Sequence, residues 1–183
     1  MDAGRRDSGD PGRSGWTQMV QGAEQLVGKN LVVPALVLIY SMIDRMAWIA
    51  RAPDHPDVKG EDFIAWVDRY MLPSPRIECS ASELYAARCA IVHSLSFVSR
   101  HVREGKARAV YYSWGSADNT KLEGDIELRR RRTGDDAVAL HLDDLILALS
   151  QGCSRFWLAV DSDPELRAIV CPRLDQGIEF RQS

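Results

Sequence analysis

The chain has no Cys-x-x-Cys pair, few lysines and no unbroken apolar run of roughly 20 residues, and each shortage argues against a class of protein. Its four cysteines (Cys79, Cys89, Cys153, Cys171) lie scattered, a spacing that suits neither a zinc ribbon nor a dithiol redox motif. Cys89 falls in an apolar stretch, where free cysteine behaves as a small hydrophobe. All four are expected to be reduced, in a cytoplasmic protein. The longest apolar run, LVVPALVLIYSMI from Leu31 to Ile43, stops at Asp44 and Arg45. A membrane helix needs roughly 20 such residues, so this run reads as a core helix. The opening MDAGRRDSGDPGRSG offers no apolar stretch for a signal sequence, so no membrane association is expected.

What is present is an ordinary globular composition. At 183 residues, 45% hydrophobic and 27% charged, the chain can bury one sizeable core and is too short for two comfortable ones. A formal net charge of −3 gives no overall attraction to polyanions, so any such binding must come from a local basic patch. The positive charge is carried by nineteen arginines and four lysines, a bias that a GC-rich coding sequence explains as readily as phosphate recognition does.

Residues 1 to 15, almost wholly Gly, Asp, Arg and Ser, cannot bury enough surface to offset ordering entropy and predict a disordered tail. From Trp16 the spacing of Met19, Ala23, Leu26 and Val27 predicts a helix. Asn30 is placed to cap a second, from about Leu31 to Arg51, with Pro34 in its first turn. EDFIAWVDRYML, with Phe63, Ile64, Val67 and Met71 on one stripe, predicts a third. The Ser80-x-x-Glu83 capping box starts a fourth near Ala81, which runs to about Val98. REGKAR reads as a basic connection. ARAVYYSWG and GDIELRRRR have strand-like composition or alternation, TGDD is a plausible hairpin turn into AVALHL, and Asp143 or Asp144 is placed to cap a closing helix through LILALSQGCSRFWLAV. AIVCPRLDQGIEF predicts a last short strand. The expected fold is mainly α: one domain over residues 16–183, with four to five helices in a bundle over 16–105 and a β-hairpin and closing helix over 106–183.

The stretch ELYAARCAIVHSLSF sets Arg88 and His93 inside an apolar helix. Five residues correspond to about 140° around a helix axis, which predicts that the two do not share a face and cannot act together on one helix. Two copies packed across a twofold axis could present both pairs to one cleft. The residue types suit cleavage of RNA: an imidazole can take the proton of a 2′-hydroxyl or protonate the leaving oxygen, and a guanidinium can hold the charge developing on phosphate. That chemistry requires no metal or other cofactor, and the carboxylate spacing suggests none. A purely structural reading has Arg88 paired with Asp44 or Asp68 and His93 bonded to a backbone carbonyl, since buried charges must be partnered.

An Arg-x4-His pair late in an apolar helix of a small bundle resembles the HEPN superfamily, whose signature is Arg-x4-6-His. ELYAARCAIVHSLS followed by REGKARAVYYSWG is similar to short bacterial proteins of that type, over roughly Leu31 to Gly115. The resemblance implies a homodimeric, metal-independent endoribonuclease of the toxin or defence type, acting on RNA and paired with a cognate antitoxin protein. It gives Arg88 the phosphate-binding role and His93 the acid–base role. The position after the arginine, often polar in active members, is Cys89 here. Asp44, Tyr85 and Cys89 are the possible supporting residues. The alternative is a non-catalytic dimerisation module, or a nucleic-acid or nucleotide binder. Arg129, Arg130, Arg131 and Arg132 could bind RNA phosphates or form a solvated hairpin. Tyr111, Tyr112 and Trp114 could stack bases or pack a core.

Overall fold

A computed structural model describes residues 11–174 except 75, 97, 117 and 118. Among these residues it has eight helices and two short strands, in the order α1 (Pro11–Gly28), α2 (Val32–Ala50), α3 (Gly60–Trp66), α4 (Ala81–Ser94), α5 (Arg100–Arg103), β1 (Ala109–Ser113), α6 (Asn119–Thr133), β2 (Ala137–His141), α7 (Leu142–Ser162) and α8 (Pro164–Leu174). The mainly helical expectation with a small β element holds, with more helices than the four to five anticipated. Most of the expected tail, residues 1–10, lies outside the described residues, and residues 11–15 belong to α1 rather than to a tail.

Helix α2 is the centre. Ala35, Leu36, Ile39, Tyr40, Met42, Ile43, Met46, Ala47 and Ile49 are all buried, covering most of the helix surface, as a helix apolar nearly all round requires. It packs against α1, α3, α4, α7 and α8. Val32–Ala50 is long and apolar enough to cross a membrane by length and composition, and half of it is buried inside the protein. Helix α7 supplies the second long face, with Leu142, Leu145, Ile146, Leu149, Cys153, Phe156, Trp157 and Val160 buried at helical spacing.

The third helix does not end at Trp66 but continues through one π turn, Val67–Met71. Such a turn shifts the backbone hydrogen bonds by one residue and leaves a carbonyl to be satisfied elsewhere. Arg155 of α7 does this, donating from Nη1 to the Tyr70 carbonyl at 2.7 Å. Gly152, one turn earlier, lets the two backbones close up: a Cβ there would sit 2.9 Å from Met71 Cγ and 3.2 Å from the Tyr70 oxygen. Tyr70 and Phe156 complete the joint edge to face, with centroids 5.2 Å apart.

Four local expectations are corrected. Asn30 does not cap α2. It takes a left-handed conformation (φ 58°) that closes α1, its N–H bonding Val27 O at 2.9 Å while Leu31 N–H bonds Leu26 O at 2.8 Å, the Schellman arrangement. The closing helix α7 is capped by His141, whose Nδ1 accepts from Asp143 N, rather than by Asp143 or Asp144. The segment AIVCPRL is helical, not a strand, because Asp163 Oδ1 accepts from Glu165 N and Leu166 N ahead of Pro164 at the first helical position. The DQGIEF remainder lies outside the described residues.

The fourth correction is topological. GDIELRRRR is not a strand and TGDD is not a hairpin turn: the segment is helix α6, stopped at Gly134 (φ 77°), whose N–H reaches back to Arg130 O at 2.9 Å. Strands β1 and β2 therefore pair in parallel, in the register Ala109↔Ala137 to Ser113↔His141, and α6 is the crossover that parallel strands require. This β-α-β unit joins the bundle through Tyr112, whose hydroxyl hydrogen-bonds the buried Tyr40 hydroxyl of α2 at 2.5 Å. Burial pushes both phenols above their ordinary range, so the pair stays neutral.

Candidate active site

Helix α4 starts where the capping box predicts. Ser80 Oγ accepts from Glu83 N at 3.2 Å and Glu83 Oε2 accepts from Ser80 N at 2.8 Å. The helix ends at Leu95, which is left-handed (φ 48°) and exposed. Between these ends α4 lays Leu84, Ala87 and Ile91 into the core and turns Arg88 toward α2.

There Arg88 meets Asp44. Its Nε lies 2.8 Å and its Nη2 2.7 Å from the same carboxylate oxygen, Asp44 Oδ2. The two side chains are about four-fifths buried, at 20% and 23% exposure, so the ion pair is shielded from water but not cut off from it. Burial, the largest influence, works to lower the Arg88 pKa; the hydrogen bond and charge of Asp44 outweigh it, and the group is held above its ordinary value.

The remaining fork of Arg88 reaches His93. Arg88 Nη1 lies 2.8 Å from His93 Nε2. The expectation that helical geometry keeps these residues apart on one chain is thus overturned. The offset of about 140° applies to the Cα positions, but an arginine stem is long, and His93 stands in the last turn, where no further helix blocks the approach. Because guanidinium only donates, His93 Nε2 is the acceptor in this contact. The ring itself is exposed. Asp44, Arg88 and His93 form one hydrogen-bonded line from the interior to the surface, within a single chain.

The expected supporting residues flank this line. Tyr85, one turn before Arg88, packs against Phe63 and His101 with ring centroids 5.5 Å from each. Its ring closes over Gly60, where a Cβ would come within 2.6 Å of the phenol. Burial first, then neighbouring Cys89, raises the Tyr85 pKa. Cys89 is half-buried, and its thiol lies near enough to Tyr85 and Arg88 to raise the pKa of both. Asp68 makes no ion pair with Arg88; Asp44 alone takes that place.

The four arginines of the RRRR run are on α6, fanned around a helix with no fully buried residue. Arg129 pairs with Asp135 at 3.3 Å and Arg131 with Glu127 at 2.8 Å, and none of the four bonds Arg88 or His93. Of the aromatic trio, Tyr112 joins the core, Trp114 is exposed with its Nε1 donating to Asn30 Oδ1 at 3.2 Å, and Tyr111 lies under Arg129.

Two groupings escape the sequence reading. Glu83 is a cap by spacing, yet its carboxylate is also gripped by Arg108, with Nε 2.5 Å from Oε1 and Nη2 3.2 Å from Oε2. Only the register of β1 beside α4 reveals that. His55 Nδ1 sits 3.0 Å from Asp62 Oδ1, tying the loop after α2 to the first turn of α3. Among the described residues no three His, Cys, Asp or Glu side chains are grouped so as to hold a metal ion. No family model, curated protein or solved structure matches the chain.

Proposed function

We propose that the chain is a HEPN-like, metal-independent endoribonuclease of the toxin or defence type, cytoplasmic, homodimeric and paired with a cognate antitoxin protein. The observation that carries this reading is the line Asp44–Arg88–His93, in which a braced guanidinium and an exposed imidazole lie 2.8 Å apart at the end of one helix. Asp44 fixes Arg88 from behind and leaves Nη1 facing solvent beside His93. A phosphate oxygen that takes the Nη1 donor releases His93 Nε2, which then accepts the proton of the adjacent 2′-hydroxyl as that oxygen attacks phosphorus. Arg88 holds the charge that builds on the phosphoryl oxygens. A second imidazole, from a second copy of the chain, enters the step as the protonated imidazolium and gives its proton to the departing 5′ oxygen, so that one imidazole gains the proton the other loses.

The test is cleavage of single-stranded RNA by the purified protein in the presence of EDTA. The expected products carry 2′,3′-cyclic phosphate ends, and His93→Ala abolishes their formation. Identical processing by wild type and His93→Ala sinks the catalytic reading.

One observation favours a non-catalytic reading. All three nitrogens of the Arg88 guanidinium already have partners in one chain, which suits a brace between α2 and α4. On that reading Arg88→Ala lowers the melting temperature and there is no nuclease activity to lose.

A further inference from the structure

The charges along Asp44, Arg88 and His93 depend on one proton. Asp44 and Arg88 form an ion pair about four-fifths buried, with Nε and Nη2 both on Asp44 Oδ2. Their charges offset each other. The line is therefore neutral overall when His93 is unprotonated and carries one positive charge when it is protonated. Toward the surface the guanidinium presents Nη1, and Nη1 is turned on His93 Nε2 at 2.8 Å.

That contact exists in one protonation state only. A guanidinium has no lone pair to offer, so Nη1 must donate and Nε2 must accept. A protonated Nε2 is a second donor 2.8 Å from the first, and the two N–H groups repel. The imidazole can move apart. Its ring is exposed, it stands in the last turn of α4 ahead of the left-handed Leu95, and among the described residues Arg88 is its one hydrogen-bond partner. The other charged and titratable groups of the elements that meet here are engaged elsewhere. Asp44 on α2 is bonded to Arg88, Asp62 on α3 to His55 and Arg100 on α5 to Glu104. His101 on α5 packs on Tyr85, and Tyr85 and Cys89 lie two turns and one turn back along α4. Among the described residues no carboxylate pairs with His93 to hold the ring where it is.

We infer that Asp44, Arg88 and His93 form an oxyanion site gated by protonation of His93. Unprotonated, the imidazole takes up the Nη1 donor, and the site is shut and neutral. Protonated, it parts from Arg88, and a tetrahedral oxyanion enters between Nη1 and Nε2 and accepts from both. Hydrogen bonds from charged donors to an anion are the stronger kind, and the positive charge of the open line attracts the anion. The inference uses the side chains of the nuclease reading but not its reaction. The ligand is either a free oxyanion such as inorganic phosphate or the phosphodiester of an RNA strand, and the chemistry is common to both.

The test uses ligands whose own charge does not change with pH: sulfate for the free oxyanion and dimethyl phosphate for the diester. Each is titrated into the full-length protein at pH 5.5 and pH 8.0, a range in which an imidazole ordinarily changes charge. Binding is followed by NMR at the His93 imidazole and at the Arg88 side-chain nitrogens. His93→Gln and Arg88→Gln are compared, with folding checked by circular dichroism. Expected is sulfate binding about tenfold tighter at pH 5.5 than at pH 8.0 in wild type, the worth of one hydrogen bond from a charged group. His93→Gln removes that pH dependence, and Arg88→Gln weakens binding at pH 5.5 by a similar factor. Dimethyl phosphate binding with the same pH dependence extends the site to RNA phosphates; sulfate binding alone restricts it to free oxyanions. If the His93 and Arg88 signals ignore both ligands, or if wild type binds equally well at the two pH values, the inference is overturned. It is equally overturned if folded His93→Gln keeps the pH dependence or folded Arg88→Gln binds like wild type. RNA cleavage is not part of the measurement. A nuclease with pH-independent anion binding overturns the gate alone, and gated binding without cleavage overturns the nuclease reading alone.

Discussion

Glu83 is the residue at which folding and solution pH meet. It is buried, it closes the capping box of α4, and both of its oxygens accept from Arg108. Burial, the largest influence, works to raise its pKa; the Arg108 hydrogen bond and the Ser80 contacts together outweigh it and hold the carboxyl below its ordinary value. A carboxyl with a depressed folded pKa contributes stability that is complete above the unfolded value, about 4.3 for glutamate, and is lost as pH falls through the folded value. Arg108→Gln removes most of that depression. Thermal unfolding of wild type and Arg108→Gln across pH 3 to 7 is therefore expected to show a lower melting temperature for the variant at neutral pH and a gap that closes toward the acid end. A gap that stays constant to pH 3 contradicts the assignment. Arg88 differs in kind. Its partner Asp44 could be nominated from sequence as one of two carboxylates within reach of the helix, but the contact with His93 could not, because periodicity describes Cα directions and says nothing of where a long stem ends.

Elements were legible in proportion to how much of their signal is local. The capping box marked the start of α4, and helical spacing of apolar residues marked α2 and α7, because caps and periodicity are written within one or two turns. Helix α6 was obscured because it buries no residue fully. With no apolar stripe, Ile126 and Leu128 two apart resembled strand alternation. Helix α8 was obscured by the β-branched pair Ile169 and Val170, although Asp163-Pro164 carries a start signal. The π turn after α3 has no sequence signature, since α7 imposes it from outside. Gly152 tests that imposition. Alanine in a helix interior is favoured over glycine by about 1 kcal/mol, but its Cβ would press on Met71 Cγ at 2.9 Å and the Tyr70 carbonyl at 3.2 Å. Met71 can shift; the carbonyl cannot move freely while Arg155 holds it at 2.7 Å. Gly152→Ala is thus expected to destabilise by about 1–3 kcal/mol in urea denaturation, the usual cost of overpacking. A gain in stability would mean that the π turn yields and is not pinned by α7.

For the whole molecule, the parallel pairing of β1 and β2 turns the last third of the chain from an appended hairpin into a β-α-β unit seated on the bundle through Tyr112 and Tyr40. That rearrangement gathers the turn after α5, the starts of β1 and β2 and the end of α6 around one concavity, which no reading of 106–183 as a hairpin could produce. Independently of the strand pairing, the Arg88–His93 pair is complete within one chain, which changes what a dimer has to supply. If a second copy were needed to bring arginine and histidine together, a mixture of Arg88→Ala and His93→Ala proteins would regain activity, because each mixed dimer would hold one intact arginine facing one intact histidine. With the pair formed inside each chain at 2.8 Å, neither subunit of a mixed dimer keeps a working pair. Co-refolding the two variants and assaying RNA cleavage is therefore expected to recover nothing above the separate variants. Recovery would place the reacting pair across the interface and make the contact between Arg88 and His93 of one chain a resting arrangement that the dimer rearranges.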